Sequence, residues 1–202
     1  DWDCKVKTLF REKYLGCKYG MSGGIDWFFE NEEKGIILED HCLPSKSFFL
    51  FCDELLHKYR DNNKVVQISG FNPLAAYPID TSYCFSRFGP IWGWASWKRA
   101  WKHYDINMSS WPEKRTNLLR EGLVRSKNEL RWRQNIFDKA YHNQLDTWDY
   151  QWSYAKHINY GLSIIPRVNL VSNIGFLPHS THTSNKAPDH FLRQYELDFP
   201  LS

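Results

Sequence analysis

Apolar positions recur along this chain in two rhythms, and the change from one to the other marks where elements begin and end. Residues 5–10 alternate and are rich in β-formers, which predicts a strand; the glycine-bearing residues 11–24 predict a loop. Ser22 is a candidate cap for a helix over 25–33, where Ile25, Phe28 and Phe29 share one face, and Gly35 ends it. Ile36 to Leu38 are too few for a helix and suit a buried strand of a parallel sheet. Residues 46–60 predict an amphipathic helix, its stripe made of Phe48, Phe49, Cys52, Leu55, Leu56 and Tyr59. Strands are predicted over 65–69 and 83–86, with a proline-bearing loop, 72–80, between them. Residues 94–104 predict a helix with Trp94, Trp97 and Trp101 aligned. A Lys/Arg-rich helical region follows from Trp111 to His142, interrupted at Gly122, and then a helix over 147–161. Two late strands, 162–165 and 169–174, precede a polar stretch that carries His179, His182 and His190.

Strand, helix, strand, helix, strand predicts a layered α/β domain over residues 1–175, with 176–202 as a polar tail or active-site loop. A length of 202 residues is enough for one sizeable core. The net charge of +3 lacks the concentrated basic face of a nucleic-acid binder, so nucleic acid is not an expected partner. Five cysteines with no paired spacing read as free thiols in a reducing compartment. No stretch approaches the roughly 20 apolar residues of a membrane span, and the start lacks the pattern of a secretory signal. The basic helical region is either a solvated face or a dock for an anionic or membrane-bound acceptor. The aromatic share, 17%, is unusual; such rings fill cores, and they also stack on sugar faces and apolar ligands.

Three constellations carry candidate chemistry. In the first, the apolar run 36–38 stops at Glu39, Asp40 and His41, where carboxylates at a strand end hold a sugar hydroxyl or a divalent cation. The competing reading is an acidic turn capping the next helix, though Ser45 or Ser47 supplies a cap without it. The second is the turn Trp92-Gly93-Trp94, preceded by Arg87, where a glycine lets backbone approach a ligand between two indole walls. Trp97 and Trp101 read as core, and Trp92 and Gly93 fit either role. The third is Asp146-Thr147-Trp148-Asp149. One of these side chains caps the following helix, while a second carboxylate beside an indole suits general-base work. His182 is a further candidate metal or phosphate contact. No P-loop, G-x-S-x-G, G-x-G-x-x-G or H-E-x-x-H is present.

Several of these runs together resemble bacterial nucleotide-diphospho-sugar transferases of the GT-A fold, the family-2-like glycosyltransferases often labelled hemolytic-protein-like. The runs are Phe28-Phe29-Glu30, residues 35–45 with 47–49, residues 91–97, residues 146–152 and residues 169–175, in that order along nearly the whole chain. The resemblance implies a Rossmann-like, mostly parallel sheet flanked by helices, with the first strand of the fold lying upstream of Asp1. It implies transfer of a sugar from a nucleotide-diphospho-sugar to a saccharide or lipid-linked acceptor, in an inverting reaction of surface polysaccharide synthesis. That work is expected in the cytoplasm, at the inner face of the membrane. The family's Glu-Asp-Asp motif maps onto Glu39, Asp40 and His41, so Glu39 and Asp40, with Arg87, are expected at the donor. Asp40, His41 and His182 are expected at a Mn²⁺ or Mg²⁺ ion; imidazole in place of the last carboxylate suits Mg²⁺ poorly. Trp92, Gly93, Trp94 and Trp148 are expected at the acceptor sugar, and Asp149, ahead of Asp146, as the base. The alternative is a sugar- or nucleotide-binding chain that keeps the fold without the chemistry.

Overall fold

Five strands form the main sheet in the order β1 (Lys34–Ile37), β5 (Trp94–Trp97), β3 (Val65–Ser69), β6 (Leu162–Pro166), β4 (Tyr83–Ser86). The computed structural model describes residues 3–74, 78, 80–117, 126–176 and 189–202. Only β3 and β6 pair in parallel; β1–β5, β3–β5 and β4–β6 are antiparallel. The sheet is therefore mixed α/β rather than mostly parallel. A second, two-stranded antiparallel sheet joins β2 (Cys42–Pro44) to β7 (Val171–Asn173).

Helices cover both faces. In β5, Trp94 and Ala95 point to opposite sides, as strand alternation requires, and each enters a different core. On one side Ala95 and Trp97 meet Phe48, Phe51, Cys52, Leu55 and Leu56 of α2 (Lys46–Lys58). On the other, Trp94 meets Ile25 and Phe29 of α1 (Gly16–Asn31), Trp101 of α3 (Lys98–Trp101), and Trp148 and Trp152 at α6 (Asp149–Ile158). A third cluster packs Trp111 of α4 (Trp111–Lys114) and Phe137 of α5 (Lys127–Tyr141) on Tyr154 of α6.

The sequence pattern misplaced several elements. Residues 94–97 are a strand, not the start of a helix; the three-and-four spacing of Trp94, Trp97 and Trp101 is overridden by pairing with β1 and β3. Residues 5–10 form no strand and are exposed. Helix α1 begins at Gly16, so Gly20, Ser22, Gly23 and Gly24 lie inside it, and Ser22 bonds back to the Lys18 carbonyl at 2.6 Å instead of capping. Strand β1 is a half-buried edge strand paired antiparallel, not a buried strand of a parallel sheet. Phe49 is exposed and Phe51 takes its place in the α2 stripe. The interruption expected at Gly122, and His179 and His182, lie outside the described residues. Residues 193–202 run back over the core, where Leu197 is buried and Tyr195 N–H donates to the Asn169 carbonyl at 2.7 Å.

Candidate functional site

The chain leaves β1 through a tight turn in which the Glu39 carbonyl accepts from Cys42 N–H at 3.0 Å. This turn presents the three polar side chains differently. Glu39 is half-buried, and its Oε1 is sealed from solvent with no hydrogen-bond partner. Burial pushes its carboxyl up to about 7, helped by the negative charges of Asp149 and then Asp40. Asp40 projects into solvent, with His41 Nε2 at 3.7 Å from its Oδ2. The His41 carbonyl accepts from Ile174 N–H at 2.9 Å, which ties the turn to the segment after β7.

The distant acidic pair reaches the same place by two routes with two purposes. Asp146 accepts from the backbone N–H groups of Cys17 (2.9 Å) and Lys18 (2.8 Å), so it caps the amino terminus of α1, not of α6. Those two amides hold its carboxyl below the usual range. Gly16 makes this possible: its φ is +72°, and a β-carbon there would stand 2.7 Å from Asp146 Oδ2. Asp146 is thereby a structural cap, which makes it a poor base. Asp149, at the first position of α6, is half-buried, and burial raises its carboxyl, opposed by bonds from Thr147 Oγ1 and the amides of Asp149 and Tyr150. Glu39 and Asp149 are close enough for one to shift the other, and Cys17 is raised by burial and then by Asp146, Glu39 and Asp149 together. Residues more than 100 positions apart are thus within electrostatic reach of one another.

The aromatic candidates divide. Trp94 and Trp148 are buried and stacked on each other, ring centroids 5.9 Å apart, so neither presents a face to a ligand. Trp92 is half-buried and packs edge-on against Phe71 (4.5 Å) and Phe191 (5.4 Å). Gly93 is at φ +64°, its carbonyl accepts from Gly70 N–H at 2.7 Å, and a β-carbon there would meet Val171 at 2.8 Å. The close backbone approach that glycine permits is made to β7 and to residue 70. Arg87 is half-buried and interacts electrostatically with Arg133 of α5; both groups that shift Glu39 are acids.

The sequence pattern does not single out one further candidate. Lys156 is 3% exposed, seven residues beyond Asp149 on the same side of α6. Its Nζ donates to Gln67 Oε1 (2.5 Å), the Gly89 carbonyl (3.1 Å) and Ser163 Oγ (3.4 Å). Burial among these neutral acceptors, then Arg133, pulls the ammonium down to about 7, while Asp149 opposes the shift. Gln67 also accepts from Trp152 Nε1 (2.9 Å) and donates to the Pro90 carbonyl (2.7 Å), so the network pins residues 86–90 to the sheet. The available signal was a lysine adjoining the buried stripe Trp148, Trp152 and Ala155.

As a metal site the turn is incomplete. Asp40 and His41 offer one carboxylate and one imidazole, His182 lies outside the described residues, and among those described no three His, Cys, Asp or Glu side chains gather for an ion. Among the described residues no helix is long and apolar enough to cross a membrane. The sequence matches no family model, and no curated protein is significantly similar to it.

Proposed function

We propose that this chain is a GT-A-type glycosyltransferase that moves a sugar from a nucleotide-diphospho-sugar to an acceptor hydroxyl in surface polysaccharide synthesis, at the cytoplasmic face of the membrane. The observation that carries the reading is the meeting of Glu39 and Asp149, two carboxylates with raised proton affinity, beyond the end of β1. Asp149, held by Thr147, takes the acceptor proton as the acceptor oxygen bonds to the anomeric carbon and the bond from that carbon to the diphosphate oxygen breaks. Glu39, whose burial favours the protonated form, turns its unpartnered Oε1 to a hydroxyl of the donor sugar. If a divalent cation is used, Asp40 and His41 are the described residues that would hold it, and it would supply positive charge for the leaving diphosphate.

The ordered motifs of the sequence support this reading, and so does the mixed sheet with helices on both faces. Asp149→Asn is expected to lower sugar-nucleotide turnover by about 10²-fold or more, with folding unchanged by circular dichroism. Unchanged turnover rules out Asp149 as the base. A second reading, binding without transfer, is favoured by His41 standing where the motif has a carboxylate. Heat on titration of UDP and Mn²⁺, with no turnover of any sugar nucleotide, favours that second reading.

A further inference from the structure

Between α4, the last turns of α5 and Gln144 lies a surface pocket of about 500 Å³, lined by neither Glu39 nor Asp149. That volume is within the roughly 300–1,000 Å³ usual for small-ligand sites. Its base is fixed by bonds already made. Trp111, 1% exposed, donates its Nε1 N–H to Asp138 Oδ1 at 3.0 Å. Arg115 holds the same carboxylate through Nε (2.9 Å to Oδ1) and Nη2 (2.9 Å to Oδ2). Along the rim, Asn135, Lys139 and His142 follow one another at turn spacing on one face of α5 and its C-cap. The helix then ends with Asn143 in the left-handed region, φ +56°. Asn143 N–H donates to the Ala140 carbonyl at 3.2 Å and Gln144 N–H to that of Lys139 at 2.9 Å, a closure that folds Gln144 back beside the last turn. Lys18 Nζ donates to Asn143 Oδ1 at 2.6 Å and ties this rim to α1. The backbone of the pocket is therefore held in place, while Asn135, Lys139, His142 and Gln144 are exposed along it.

We propose that this pocket binds a sugar residue that carries a carboxylate, of the hexuronic-acid class. A pyranose presents hydroxyls that each donate and accept, and the side-chain amides of Asn135 and Gln144 each offer a donor and an acceptor to them. Its C–H faces are apolar, and Trp111, Pro112 and Tyr141 supply apolar surface in the same lining. Asp138, the acid among the described lining residues, is already paired with the Arg115 guanidinium. Lys139 then supplies a positive charge, and His142 a ring N–H, for a carboxylate on the sugar. The site stands on its own lining and not on glycosyl transfer.

The test is NMR titration of the full, nitrogen-15-labelled chain with methyl glucuronide and, separately, with methyl glucoside, at constant ionic strength and with no sugar nucleotide present. Saturable shifts of the Asn135 and Gln144 side-chain amides and of the Trp111 indole N–H are expected, with the glucuronide binding more tightly. Lys139→Gln is expected to weaken glucuronide binding on the order of fivefold and to leave the glucoside unchanged. Gln144→Ala is expected to weaken both sugars by about the same factor. Both side chains are exposed, so the variants keep the fold, and the unshifted remainder of the spectrum checks this. Absence of saturable shifts at these three groups overturns the proposal. Equal affinity for the two sugars overturns it as well, and so does a glucuronide affinity that Lys139→Gln leaves unchanged.

Discussion

Glu39 and Asp40 are neighbours in the chain with opposite fates. The turn after β1 sends one carboxylate inward and the other into water, so only Glu39 is pushed up to about 7. The consequence for stability has a definite sign. The unfolded chain ionises Glu39 near the ordinary 4.5 and the folded one near 7, so between those values the folded state holds more protons. Stability therefore falls as pH rises from about 4.5 to 7, by on the order of 2 kcal/mol once partial solvent contact is allowed for. Glu39→Gln is expected to flatten that fall in urea-unfolding midpoints measured across this range; an unchanged slope would remove Glu39 as its source. Adjacent acids at a strand end were legible in the sequence. Which of them faces inward was not, because that depends on a turn closed by one backbone hydrogen bond.

Helices α1 and α2 share a device that local sequence does not reveal. Each is capped by a carboxylate from far along the chain: Asp146 bonds the amides of Cys17 and Lys18, and Glu196 bonds those of Lys46 (3.3 Å) and Ser47 (2.8 Å). The local candidates Ser22 and Ser45 do neither job, and Ser45 Oγ is buried without a partner. Capping by a neighbour is visible in sequence; capping across more than 100 residues needs the tertiary fold. Asp146→Ala and Glu196→Ala are each expected to lower the melting temperature. Asp146→Ala should leave the Glu39 titration near 7, since burial and Asp149 are its larger causes. A melting temperature equal to the parent's in either variant would contradict the cap. Periodicity found α2 and β3 because each has a stripe of one period, and failed at β5, where Trp94, Trp97 and Trp101 satisfy a helical spacing while two strand partners dictate otherwise.

Across the whole molecule, the mixed sheet brings the end of β1 and the start of α6 to one place, with Trp94 and its stacked neighbours filling the core beneath. The sequence showed both acidic clusters and the alternation of strands and helices. It did not show that three of the four pairings in the main sheet are antiparallel, since pairing direction depends on how connections cross and not on the composition of any strand. The central claim is that Glu39, at the end of β1, feels the charge of Asp149, at the start of α6. Carbon-detected NMR titration of the Glu39 side-chain carboxyl, in the parent and in Asp149→Asn, tests it most directly. The parent should titrate near 7 and the variant lower, because one of the two neighbouring charges is gone while burial remains. A Glu39 that titrates at the ordinary carboxylate value, or that is indifferent to Asp149→Asn, would contradict that coupling.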